Sequence, residues 1–208
     1  MNEGWTNSSL DLFMAAISRA EIWSPIFLII AILLLIFGGF RGRAFVVCTA
    51  LALCLSNSFV GPLKSAINRP RPKQIERVRM VEMQHTRPEF LSLFRPVKIK
   101  YSDEKERERS RASFPSGHTS NNTVIALCCT LFFRRWGKLY WIITALVGYS
   151  RLYLGAHWPS DVIATVFLAV GETMIVLVVC EIAWEKIGAR FWPQLLENHL
   201  RLLPALRP

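Results

Sequence analysis

A chain of 208 residues that is 52% hydrophobic yet carries a formal charge of +10 fits few protein classes. Its apolar residues are bunched into runs rather than spread amphipathically, which argues against a soluble globular domain. The positive charge flanks those runs instead of gathering in one patch, which argues against a nucleic-acid partner.

Taken in order, residues 10–18 form a short apolar stretch, read as an interfacial or partly inserted helix. Residues 22–40 are uncharged and long enough to cross a bilayer core of roughly 30 Å. Residues 44–63 repeat that pattern. A third helix is expected to begin near Ser116 and to carry the apolar run 124–133, and a fourth to cover 139–154 with Arg151 near its end. The fifth, 162–184, is interrupted by Glu172, which should face the bundle because a carboxylate is costly in lipid. The expectation is a single all-α domain, a polytopic membrane bundle of five to six transmembrane helices over residues 1–208, with a long extramembrane loop between helices two and three.

The first run lacks a basic leader and is followed at once by Arg41 and Arg43, so it reads as an anchor rather than a cleavable signal. Arg134, Arg135 and Lys138, and the tail residues Lys186, Arg190, Arg201 and Arg207, fall on the same side as Arg41 and Arg43. The positive-inside rule makes that side cytoplasmic. Glu3, Asp11 and Glu21, against Arg19 alone, suit the opposite face. Segment 64–117 opposes the bias with 14 Lys/Arg against 7 Asp/Glu, but long loops obey the rule weakly.

Three clusters carry chemistry: Lys64 with Arg71-Pro72, then Pro115-Ser116-Gly117-His118, then Ser150-Arg151 followed by His157 and Asp161. Alternating crossings bring all three to one membrane face, opposite the short basic loops. They supply cations for phosphate oxygens, two histidines and a carboxylate, the set that phosphoryl transfer needs when no metal is used. His157 and Asp161 are four apart and share a helix face. A carboxylate on one ring nitrogen leaves the other free to attack phosphorus. Ser116 and Gly117 at a helix start offer a hydroxyl and amide N–H groups to an anion. Each cluster alone has a plainer explanation: Lys64, Arg69 and Arg71 as juxtamembrane charges, Asp161 as a helix cap.

The ordered motifs K-x6-R-P, P-S-G-H and S-R-x5-H-x3-D resemble the signature of the type-2 phosphatidic acid phosphatase family, which groups membrane lipid phosphatases with histidine acid phosphatases and haloperoxidases. The resemblance covers 64–161 in motif and implies His157 as a nucleophile forming a phosphohistidine, oriented by Asp161. His118 would serve as the acid and then the base. Lys64, Arg71, Ser116, Gly117 and Arg151 would bind the phosphate. It implies no metal and no cofactor, a lipid phosphate or diphosphate as substrate, and membrane lipids as surroundings. The expected location is a bacterial cytoplasmic membrane with the site facing outward. The motifs touch only phosphate, so they leave open phosphatidic acid, phosphatidylglycerol phosphate, undecaprenyl diphosphate and lipid A phosphates. They equally leave open a lipid-to-lipid phosphotransferase and a non-enzymatic lipid-phosphate carrier. Oligomeric state has no signature.

Other residues are weaker. Asn121 and Asn122, one turn beyond His118, either support the site or join helices. His85 and His199 read as solvated, and the five cysteines sit in apolar runs as small hydrophobes. In the 73–112 insertion, residues 78–83 and 97–101 alternate as two strands, residues 88–94 suit the interface, and 103–109 form a solvated charged run. Such an insertion beside a site is a natural place for head-group selectivity.

Overall fold

The structure is a computed structural model and describes residues 6–75, 77–102 and 112–203. The charged run 103–109, Glu3 and Arg207 lie outside the described residues. Helix α1 (Ser8–Ile17) starts at Asn7, whose Oδ1 accepts the Leu10 N–H at 2.7 Å. Helix α2 (Ala20–Phe37) and α3 (Gly39–Ile67) meet at a sharp turn where Gly39 takes φ of +58°. After α3 come the short α4 (Pro72–Ile75), strand β1 (Arg79–Glu82), a 3-10 turn (Glu89–Phe94) and strand β2 (Lys98–Tyr101). Then follow α5 (Gly117–Gly137), α6 (Tyr140–Tyr153), α7 (Pro159–Phe191) and α8 (Pro193–Asn198).

A helix forms over each of the five expected apolar runs. Three helices are long and apolar enough to cross a membrane by themselves: α2, α7 and the helix that opens at Gly39. The other two fall short of that standard. Helix α6 has 14 residues and reaches about 21 Å at 1.5 Å per residue, less than a bilayer core. In α5 the backbone turns out of helical geometry at Arg134 (φ 53°, ψ −126°).

Buried residues at every fourth position, most of them small, join the bundle. Ala44, Cys48, Ala52 and Ser56 on α3, Ser120, Val124, Cys128 and Phe132 on α5, and Thr165, Ala169, Thr173 and Leu177 on α7 are all buried. Helix α5 packs on α3, α6 and α7 through this stripe. In lipid there is little hydrophobic drive between helices, so close packing of small side chains must supply the attraction. Several buried hydroxyls are satisfied within the bundle: Thr123, Thr165 and Thr173 donate to carbonyls one turn back, and Ser56 meets Ser120 at 2.6 Å. Glu172 interacts with Ser56 on α3, the bundle-facing arrangement expected for it. Large apolar side chains such as Leu28, Ile29, Phe167 and Ile175 point outward, as a lipid-facing surface requires.

The expected hairpin forms, with β1 antiparallel to β2 and Arg79 opposite Tyr101. It also ties α1 to the bundle. Arg79 makes a two-pronged ion pair with Asp11 of α1 (2.8 and 2.6 Å), and Tyr153 of α6 donates to the same carboxylate at 2.6 Å. All three residues are buried. Removing one partner of such a pair strands a buried charge, at a typical cost of about 3–5 kcal/mol. Helix α1 is therefore tied into the bundle rather than lying loosely at the interface. At the other end, Glu181 accepts the N–H groups of Leu202 and Leu203 (3.1 and 3.0 Å) and docks the tail against α7. His199, expected in solvent, instead stacks on Phe40 at 4.1 Å.

Candidate active site

Lys64 sits in the last turn of α3, which ends at Asn68 in a left-handed cap (φ 45°). That cap swings the chain into Arg69-Pro70-Arg71-Pro72. The loop is pinned on two sides: the Trp158 indole donates to Pro70 O at 2.9 Å, and Ser113 N donates to Arg69 O at 2.7 Å. The first contact fixes the loop against the start of α7. The second fixes it against the segment entering α5.

Ser116 is the N-cap of α5 and is fully buried. Its N–H is given to Thr165 Oγ1 at 3.0 Å, and its hydroxyl accepts from Thr119 at 3.0 Å. Its N–H is thus engaged inside the bundle, while the hydroxyl accepts and keeps its own proton to give, which makes Ser116 an anchor of the turn. The helix mouth, with its positive dipole end, begins at Gly117. A Cβ added there would meet only Val60 at 3.8 Å, so the bundle leaves that backbone open to close approach. His118 follows on the first turn, and Asn122 donates to its carbonyl at 2.9 Å while accepting from the Tyr140 hydroxyl.

Arg151 ends α6 with Nη1 hydrogen-bonded to Ser18 Oγ. Ser150 is spent on its own helix, donating to Val147 O at 2.7 Å. The chain then reverses at Gly155 (φ +63°), where a Cβ would lie 2.2 Å from Val78 of the hairpin. Glycine is required there by both conformation and space. The reversal is closed by Ala156 and His157 N–H groups on Arg151 O (3.0 and 3.3 Å), which fixes His157 relative to Arg151.

Lys64, Arg71 and Arg151 all lie within electrostatic reach of both His118 and His157. Three sequence motifs separated by dozens of residues thus converge. His157 is buried at 4% exposure. Burial first, then Arg151 and Arg71, hold its pKa well below the ordinary histidine range, against a small opposing contact with the Ser113 backbone. The ring is therefore neutral at physiological pH, the form that can attack.

Asp161 is placed differently from the sequence expectation. Its carboxylate takes Arg69 Nη1 at 2.7 Å and the Trp158 N–H at 3.0 Å, while Arg69 also reaches Ser160 Oγ at 3.0 Å. No hydrogen bond joins it to His157 among the described residues, and His157 Nδ1 is buried without a partner. At N3 of α7, Asp161 holds the backbone just after His157 rather than the ring itself. Arg69 is the residue whose role sequence reasoning missed. Lying inside the x6 spacer, it read only as a juxtamembrane charge.

Behind His118 opens a cavity of about 660 Å³ between α1, α2, α5 and α6, lined by Leu12, Phe13, Trp23, Phe27, Ile143 and Leu146, with Asn122 near the histidine. A second cavity of about 420 Å³ adjoins Arg151 and is polar.

Comparison with known proteins adds the family. The PAP2 superfamily model matches residues 45–185. The chain is 30% identical to the lipid A 4'-phosphatase of Bacteroides thetaiotaomicron over 161 residues, covering 74% of this chain and 62% of that one. It is 32% identical to a putative undecaprenyl-diphosphatase of Escherichia coli over 95 residues, covering 45% and 46%. The chain thus spans about half to three fifths of the length of these curated relatives. In fold it is similar to the phosphatidylglycerolphosphate phosphatase of Bacillus subtilis (TM-score 0.55, 22% identity, 82% and 76% covered). It is also similar to LpxE of Aquifex aeolicus (TM-score 0.56, 24% identity, 85% and 89% covered). With the family model matching well over half of the sequence, and across all the motif-bearing helices from α3 to α7, the chain belongs to the PAP2 superfamily.

Proposed function

We propose that this protein is an integral membrane phosphatase that removes a phosphoryl group from a lipid phosphate or lipid diphosphate through a phosphohistidine on His157. The observation that carries the reading is the meeting of two environments at His118. Three cations reach it, and it also lines the 660 Å³ apolar cavity on the lipid side of the bundle. A phosphate head and an apolar tail fit that junction together.

In the first step the His157 ring nitrogen bonds to phosphorus as the bond to the lipid oxygen breaks, and His118 gives its proton to that oxygen. In the second, His118 takes a proton from water, whose oxygen bonds to phosphorus as the P–N bond breaks and inorganic phosphate leaves. Lys64, Arg71 and Arg151 hold the phosphate oxygens throughout, a stabilisation that metal ions provide in kinases. The first-turn amides of α5 aid them. Asp161, locked by Arg69, steadies the His157–Trp158 peptide during attack. Names of relatives favour lipid A phosphates or undecaprenyl diphosphate over other lipids.

A panel of lipid phosphates, assayed in detergent for free phosphate with and without excess EDTA, tests this reading. Stoichiometric phosphate release that survives EDTA is the expected result. Phosphoryl groups recovered on a second lipid would indicate a phosphotransferase, and binding without turnover a carrier. Loss in EDTA restored by Mg²⁺ would overturn the metal-free chemistry.

The site is proposed to face outward across the cytoplasmic membrane of a bacterium. With the five native cysteines replaced, Lys98→Cys on the exposed hairpin should react with a membrane-impermeant thiol reagent applied to intact cells. Lys138→Cys, in the exposed turn between α5 and α6, should not. The reverse labelling pattern would invert the orientation.

A further inference from the structure

The polar cavity beside Arg151 has no part in the two steps above. It is lined by Ser18, Arg19, Glu82, His85 and Arg151, among others. The last turn of α1 separates it from the apolar cavity: Ala15 and Ser18 face the polar side, Ala16, Ile17 and Ala20 the apolar one. One short helix thus divides a place for a chain, beside His118, from a place for a polar group, beside Arg151.

The cations around this cavity are incompletely matched. Arg19 Nη2 reaches the His85 ring (Nε2 at 2.8 Å) and pairs loosely with Glu89 at 3.6 Å. Its Nη1 is buried and has no acceptor among the described residues. Arg151 gives Nη1 to Ser18, while its Nε is likewise buried without an acceptor. Glu82, the carboxylate on the wall, is already paired with Lys100 at 2.6 Å. Both arginines line the cavity, and each keeps a buried guanidinium N–H without an acceptor, a costly state that an anion held by the two side chains would relieve. Guanidinium suits phosphate oxygens better than any other side-chain cation.

We propose that this cavity is a second phosphoryl subsite, in which Arg19 together with the far side of Arg151 recognises a substrate carrying two phosphoryl groups. The inference rests on the phosphatase reading above. It assigns selectivity to Arg19, outside the three motifs, at the junction of α1 and the hairpin insertion. The second group is either the inner phosphoryl of a lipid diphosphate or a separate phosphate elsewhere on the head group.

The test measures kcat/KM on matched pairs: farnesyl diphosphate against farnesyl monophosphate, and a bis- against a monophosphorylated glucosamine disaccharide lipid. In Arg19→Gln the two-phosphoryl member of a pair should lose on the order of 10–100-fold relative to its partner, the weight of a charge-assisted hydrogen bond. Arg19→Lys should recover part of that ratio. The pair that responds identifies the source of the second group. Equal losses on both members, or none on either, would overturn the subsite. Inorganic pyrophosphate gives a measure that does not need turnover. It should inhibit the wild type more strongly than orthophosphate, and Arg19→Gln should erase that preference. A preference unchanged by the substitution would also overturn it. Absence of phosphate release from every member of both pairs by the wild type would instead count against the phosphatase reading itself.

Discussion

His157→Ala should lower turnover by on the order of 10⁴-fold or more, because removal of a covalent nucleophile leaves only binding and charge stabilisation. The phosphoenzyme should vanish with it. Wild-type protein mixed with a labelled lipid phosphate and quenched in alkali should carry label that acid removes, the behaviour of a phosphoramidate. The geometry makes the expectation specific. The ring is buried, and its pKa is depressed by burial, Arg151 and Arg71, so it does not lose its nucleophilic form as pH falls through the usual histidine range. An acid limb in the pH–rate profile should therefore belong to another group. His118→Ala supplies the contrast. It should still form phosphoenzyme from an aryl phosphate, whose leaving group needs no proton, while failing on a lipid phosphate. Label retained in His157→Ala would remove His157 from the nucleophile's role.

The helices were readable from sequence because apolar runs, glycine turns and flanking charge are local signals. Pairings across the fold were not. Asp161 meets Arg69 from 92 positions away, and nothing near either residue distinguishes that partner from His157, which lies four positions upstream. Spacing suggested a shared helix face, but His157 lies ahead of the Trp158 N-cap, outside α7. Nor could spacing predict that Arg69 would take the carboxylate. Asp11 shows the same limit: as one acid in a short amphipathic stretch it read as a sign of sidedness, yet it is buried between Arg79 and Tyr153. Ser116 shows the limit in another way. The turn it caps was recognised, but Thr165 on α7 claims its amide, and that contact exists only after α5 and α7 pack. Residue chemistry thus pointed to the reaction class, while the pairing of Arg69 with Asp161 and of Ser116 with Thr165 came from packing.

Arg151→Ala should reduce kcat/KM by on the order of 10²–10³-fold, the usual effect of losing one preorganised transition-state donor. Arg151→Lys should be nearly as damaging. Lysine keeps the charge but cannot divide its N–H groups between Ser18, which Arg151 holds through Nη1, and the phosphate oxygens, since a planar fork is needed to serve both. Arg71→Lys should behave alike, although less of its setting is buried. Comparing two inhibitors separates transition-state recognition from plain attraction to anions. Vanadate adopts the five-coordinate arrangement of phosphorus in flight, while inorganic phosphate is tetrahedral like the product. If Arg151 is matched to the transition state, Arg151→Lys should weaken vanadate inhibition far more than phosphate inhibition. Equal weakening of both would make the arginine a general anion attractant. Full activity in the lysine variant would show that a point charge suffices and would remove the fork geometry from the account.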